Sequence, residues 1–239
     1  MKIEFDQKSH TYTLDGVSVP SVTTVIKATV PTPFSAAAWW GWKLGVQAAF
    51  HCGEPALDVE TLEAAAKLTD YRPDKTRDDA AARGNLIHAA MEHYAGDPVP
   101  INEKDFLAEY RPQLKALNKW LSANDPEIHK AEQMVGHSLH MYAGTLDAFV
   151  TFHSGVHQGL TARLDWKTSK NVYPEQHFPQ IEAYEEAAVY MGQFPADIRG
   201  VVHLPATGKP VKMHVSNFDF EDFYVLLKQH QQQESRRNG

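Results

Sequence analysis

Two aspartates and a lysine stand close together in the stretch GTLDAFVTFHSGVHQGLTARLDWKTSK, residues 144–170. Asp147 and Asp165 each end an apolar half-strand, and Lys167 follows the second aspartate by two positions. Residues two apart on a strand point the same way, so Asp165 and Lys167 share a face while Leu164 and Trp166 pack on the other. With the preceding strand as hairpin partner across HSGVHQG, Asp147 comes to lie near Asp165 at one edge of a sheet. Two carboxylates at close range repel and raise each other's pKa unless a cation sits between them. Hard oxygen ligands of this kind suit Mg²⁺ or Mn²⁺, which keep several waters and are typically shared with substrate phosphate. Beside such an ion, Lys167 is placed to orient or deprotonate a water and to offset charge on a phosphorane-like transition state. A D-x-K strand also occurs as a plain surface ion pair, and spacing alone does not separate the two readings.

The elements that must carry these residues read as a mixed α/β plan. Strand patterns follow Pro126: Ile128 to Val135, Leu139 to Phe152 and Leu160 to Lys167. Before them, Asp78 to Gly96 has the composition of a helix ended by its glycine, with His88 and Glu92 four apart on one face. Glu103 to Ser122 reads as a second, amphipathic helix with Phe106, Leu107, Tyr110, Leu114, Leu117 and Leu121 inward. Helix returns in EQHFPQIEAYEEAAVYMG, strands follow in IRGVVHLP and KMHVSNF, and DFEDFYVLLKQHQQQ reads as a last helix. The polar end QQQESRRNG reads as disordered.

At the other end, Tyr12 and Leu14 alternate into Asp15-Gly16 and out through Val17 and Val19, a β-hairpin signature, and Pro20-Ser21 reads as a helix entrance. FSAAAWWGWKLGVQAAF reads as an alanine-rich helix with Trp39, Trp40 and Trp42. Steps of one and three residues spread these rings by about 100° and 300° around the axis, so they do not all face one core. Core packing and base stacking both stand as roles for them. The expected organisation is a mixed central sheet flanked by helices, with residues 1–75 as a hairpin and helical arch packed on a core of residues 76–239, one structural domain overall.

Composition sets limits around this. A chain of 239 residues, 43% hydrophobic and 22% charged, falls in the globular range. No window is apolar enough to span a membrane and MKIEFDQKSH lacks a signal-peptide core, which predicts a cytoplasmic protein. The single cysteine, Cys52, excludes an internal disulfide and a thiolate cluster held by several cysteines of one chain. A formal net charge of −7 argues against a generally basic coat but leaves room for a local groove of Lys and Arg on DNA.

In order along the chain, RGNLIHAAME, Glu132, GTLD, LDWKTSK and QIEAY resemble the RecB-type branch of the PD-(D/E)XK nucleases, over roughly residues 80–190. The resemblance implies a restriction-endonuclease-like core in which His88, Asp147 and Asp165 are metal ligands, with the backbone carbonyl of Trp166 as a further ligand. It implies that Lys167 is the catalytic lysine and that Gln180 and Tyr184, one helical turn apart, are the Q-x-x-x-Y element beside the site. Glu132 occupies the place of a family acid, and Glu132 and Glu92 are added candidates for the metal. Arg83, one turn before His88, suits a phosphate contact or a surface ion pair, and Lys170 and Trp40 join it as candidates for contacting DNA. The implied activity is a Mg²⁺- or Mn²⁺-dependent deoxyribonuclease, acting as an exonuclease on single strands or DNA ends in replication, recombination or repair, in a bacterial or phage-infected cell.

The chain also departs from some relatives. Cys52 alone cannot build the four-cysteine iron-sulfur cluster that some carry, so none is expected. No G-x-x-x-x-G-K-[ST] motif is present, so unwinding falls to a helicase partner; a recombinase or single-strand-binding protein would be further partners. His137, His140 and His177 lack zinc-site spacing. The rival reading is a catalytically silent member of the fold that binds DNA ends or protein. The intact Asp147, Asp165 and Lys167 disfavour it, because a binding module has no need of a charged triad on an apolar sheet edge.

Overall fold

A two-residue turn opens the chain's folding plan. Asp15 and Gly16 have φ of 48° and 82°, the left-handed pair that a type I′ hairpin turn requires. The turn joins β2 (Thr11–Leu14) to β3 (Val17–Val19), and β1 (Ile3–Asp6) pairs antiparallel on the far side of β2. Tyr12, Leu14 and Val19 are buried together with Ala143. The Ser21 hydroxyl oxygen accepts the Thr24 N–H at 3.0 Å and so caps α1 (Val22–Thr29), at the entrance expected from Pro20-Ser21. These assignments come from a computed structural model that describes residues 1–30, 73–96 and 98–238. Trp39, Trp40, Trp42 and Cys52 lie outside the described residues.

The main sheet has five strands in the order β4 (Pro126–His137), β5 (Tyr142–Phe152), β6 (Thr161–Lys167), β7 (Ile198–His203) and β8 (Lys212–Val215). Every neighbour is antiparallel except β6 and β7, which run parallel and make the sheet mixed. A parallel pair needs a crossover, and the helix Pro174–Tyr190 supplies it. The other helices are α2 (Pro73–Gly96), α3 (Arg111–Asn124) and α5 (Phe220–Asn238), with the crossover helix as α4. Met1–Val30 and Gly84–Gly239 form one compact unit, and Pro31–Arg83 forms a second. No described helix is long and apolar enough to cross a membrane.

Two cores sandwich the five-stranded sheet. Ile87 and Met91 of α2 and Leu114, Leu117 and Trp120 of α3 pack with Ala148, Val150, Leu164, Trp166 and Val202. Val25 of α1, Ile181 of α4 and Phe223 of α5 pack with Val135, Tyr142 and Leu146. Leu146 and Ala148 are two apart on β5 yet belong to different cores, so the strict alternation of a strand slips at Asp147.

Several expected boundaries move. The stretch from Glu103 is a 3₁₀ turn, Glu103–Asp105, followed by a helix that begins only at Arg111. Pro112 stands in the first turn of that helix, where its missing N–H has no intrahelical partner to lose. Leu107, expected inward, is 66% exposed. β5 begins at Tyr142 and not at Leu139, because His137 to Met141 close a turn through the Met141 N–H and the His137 carbonyl at 2.7 Å. The polar end, expected to be disordered, is helical as far as it is described: α5 continues to Asn238, aided by good helix formers and an Arg237–Glu234 pair at 2.9 Å.

Candidate metal centre

The site begins where two strands part. β5 and β6 pair from Thr151 with Thr161 up to Ala148 with Leu164; one rung further, Asp147 and Asp165 replace the ladder. The Trp166 N–H donates to Asp147 Oδ2 at 2.7 Å, so a carboxylate takes the position of a backbone carbonyl. Both aspartates are buried. On the far side of β5, Ala131 pairs with Ala148 and Gln133 with Leu146, which puts Glu132 across from Asp147. Three acids thus stand in one row across β4, β5 and β6.

Glu132 has φ 47° in the middle of a strand, a left-handed conformation that costs a residue with a Cβ about 1–2 kcal/mol. Strain of this kind is kept where the surroundings over-determine it, and here Glu132 Oε1 meets His88 Nδ1 at 2.7 Å. A carboxylate only accepts, so Nδ1 carries the proton and Nε2 turns toward Asp147 Oδ2, 3.8 Å away. His88, Glu132 and Asp147 each offer a ligand atom within 4.8 Å of the others.

Asp165 has a different set of neighbours. Lys167 Nζ donates to its Oδ1 at 3.0 Å, and Gln180 Nε2 donates to the same oxygen at 3.0 Å. Gln180 Nε2 also lies 3.1 Å from the Tyr184 hydroxyl, which accepts from it. Lys167 Nζ also stands 2.7 Å from Asp165 Oδ2, so the ammonium pairs with both carboxylate oxygens, and Oδ2 receives no further hydrogen bond among the described residues. His88, Glu132 and Asp147, with Asp165 beside them, are a group that could hold a metal ion.

The electrostatics agree. Burial opposes charging His88, but the Glu132 hydrogen bond and the charges of Asp147, Glu132 and Asp165 prevail and raise its pKa to about 9. Burial and the charge of Asp165 push Asp147 up. Lys167 is held above its usual value because Asp165 and Asp147 outweigh its burial. Burial and the same two aspartates push Tyr184 well above the usual phenol value, so its hydroxyl is a neutral group. The acids therefore favour the charged forms of His88 and Lys167.

The candidates from sequence divide as follows. His88, Asp147 and Glu132 come together, and Asp165, Lys167, Gln180 and Tyr184 form the adjoining network. Trp166 is buried, its ring edge-on to Trp120 at 6.0 Å, and its N–H holds Asp147. Glu92 is exposed and stands outside the His88 group, although it lies one turn further along the same face of α2. Lys170 is exposed just past β6, Arg83 is half-buried on α2, and Trp40 lies outside the described residues.

Two further residues lie close to this network. His177 is buried one turn before Gln180; burial and the charge of Lys167 lower its pKa to about 4, so it is neutral. Gly144, the glycine of GTLD, faces Tyr184 so closely that a Cβ would come within 2.5 Å of the ring. No family model matches the chain, and no curated protein matches it.

Proposed function

We propose that the chain is a Mg²⁺- or Mn²⁺-dependent deoxyribonuclease with a restriction-endonuclease-like core, of the RecB-type branch of the PD-(D/E)XK nucleases. The observation that carries the reading is the meeting of Asp147, Asp165 and Lys167 where β5 and β6 part, with His88 and Glu132 beside Asp147. His88 through Nε2, Asp147 and Asp165 would hold the metal, and Glu132 keeps His88 in the tautomer that presents Nε2. A bound ion would polarise a phosphate oxygen and lower the pKa of a coordinated water.

The chain's own groups supply the rest. Lys167 is fixed to Asp165 beside Asp147, where its ammonium would orient a water or meet phosphate charge. Gln180 locks Asp165 in place and is itself fixed against the Tyr184 hydroxyl. The burial of the aspartates lowers the local dielectric and strengthens each of these contacts. The expected substrates are DNA single strands or ends, in the cytoplasm of a bacterial or phage-infected cell, with a helicase, recombinase or single-strand-binding protein as partner.

End-labelled single- and double-stranded oligonucleotides, incubated with Mg²⁺, Mn²⁺, Ca²⁺ or EDTA, test the reading. Cleavage is expected with Mg²⁺ or Mn²⁺ alone, and loss of it in Asp165→Ala and Lys167→Ala. Wild-type turnover in Lys167→Ala, or intact DNA under every metal, overturns it.

A further inference from the structure

A cavity of about 500 Å³ opens between α3 and the loop that leads into β8. None of the acids, nor the lysine, of the candidate metal centre lines it. Pro112, Trp120, Pro210 and Val211 give it an apolar lining, while Lys115 and Lys119, one helical turn apart on α3, stand exposed at its margin. The wall is firmly built. Gly208, at φ 69°, approaches Pro112 so closely that a Cβ would come within 2.6 Å of the proline's own Cβ.

The charge around this cavity runs against that of the chain. The formal net charge is −7, yet no carboxylate lines the cavity. Among the described residues neither Lys115 nor Lys119 has an ion-pair partner. Two unneutralised ammonium groups beside an apolar hollow select for a ligand of opposite charge with a greasy anchor.

We propose that this cavity is the docking site for an acidic peptide segment of a partner protein, one that carries a single large apolar side chain. The side chain enters the hollow between Pro112, Trp120 and Val211, and flanking carboxylates meet Lys115 and Lys119. Nucleic acid is the poorer fit. Trp120 is only 8% exposed, with its ring edge-on to Phe152 and Trp166 at 6.1 and 6.0 Å, so it has no free face on which a base can stack.

The test is fluorescence anisotropy of the full chain in EDTA with a labelled short peptide of aspartates and glutamates ending in phenylalanine. Working without metal separates this proposal from the nuclease reading. Saturable binding is expected, weakened about tenfold or more in the exposed double variant Lys115→Glu/Lys119→Glu. A loss of about tenfold or more is also expected when the peptide's phenylalanine becomes alanine. The double variant should keep the wild-type melting curve and the wild-type activity on oligonucleotides. Absence of saturable binding, or binding indifferent to both changes, overturns the proposal. Equal displacement of the peptide by a single-stranded oligonucleotide would make the cavity a nucleic-acid track and overturns it too.

Discussion

Glu132 couples backbone strain to the candidate metal centre, and its replacement by glycine or alanine should separate stability from function. At φ 47° a residue with a Cβ costs about 1–2 kcal/mol more than glycine does. Glycine, in turn, gives up about 0.5–1 kcal/mol more chain entropy on folding than alanine. Both variants lose the His88 contact equally, so that loss cancels between them. Taking the midpoints, Glu132→Gly should therefore be more stable than Glu132→Ala by about 0.7 kcal/mol, a Tm gap of about 1.5–3 °C for a chain of this size. Both should bind Mn²⁺ about 10–100-fold more weakly than wild type, because His88 Nδ1 loses the acceptor at 2.7 Å that orients it. Scanning calorimetry reads the first effect and isothermal titration the second. If Glu132→Ala melts at or above Glu132→Gly, the strain argument fails; if both keep wild-type Mn²⁺ affinity, Glu132 does not serve the centre.

Gly144→Ala should cost about 1–3 kcal/mol by overpacking against the Tyr184 ring, and should reduce cleavage further than the lost stability explains; a folded variant with full activity would remove Tyr184 from the supporting network. Asp147→Asn keeps the oxygen that accepts the Trp166 N–H but loses the charge, so Mn²⁺ titration should show weaker binding with little change in Tm. His137, held near pKa 4 by burial and by His140, makes the fold acid-sensitive. The unfolded chain binds this proton near pH 6.5 and the folded chain only near 4, so stability is complete above 6.5 and declines by up to about 1.4 kcal/mol per pH unit down to 4. Glu186, 3.8 Å away, is the carboxylate nearest His137. His137→Phe, which keeps the stack on Tyr190, should flatten the urea-stability profile between those values; an unchanged slope would place the acid sensitivity elsewhere.

Period-2 patterning was enough to put Asp165 and Lys167 on one face, and Asp15-Gly16 announced its turn through residues that tolerate positive φ. Local chemistry determines both, so they are legible without neighbours. The left-handed Glu132 is different: no glycine or asparagine marks it, because pairing with β5 and the pull of His88 impose the conformation from outside. The slip between Leu146 and Ala148 is likewise a decision of two cores, invisible to a rule that alternates without fail. Where the reading went astray locally, a stronger local signal was overridden: Pro112 was outvoted by the apolar spacing from Phe106 to Leu121. The polar composition of QQQESRRNG hid residues that favour helix.

The parallel pairing of β6 with β7 bears on the order in which the molecule gains competence. β4, β5 and β6 are joined by short hairpins, so their contacts are near-neighbour and form early; β6 and β7 must wait for α4 to bridge them. Asp165 meets Gln180 across only 15 residues, whereas His88 meets Glu132 across 44. Closing the longer loop carries the greater entropy, so the imidazole should join a sheet that already presents its acids. During refolding, far-UV circular dichroism should then recover ahead of Mn²⁺ affinity, leaving a transient species with native strands and an incomplete ligand set.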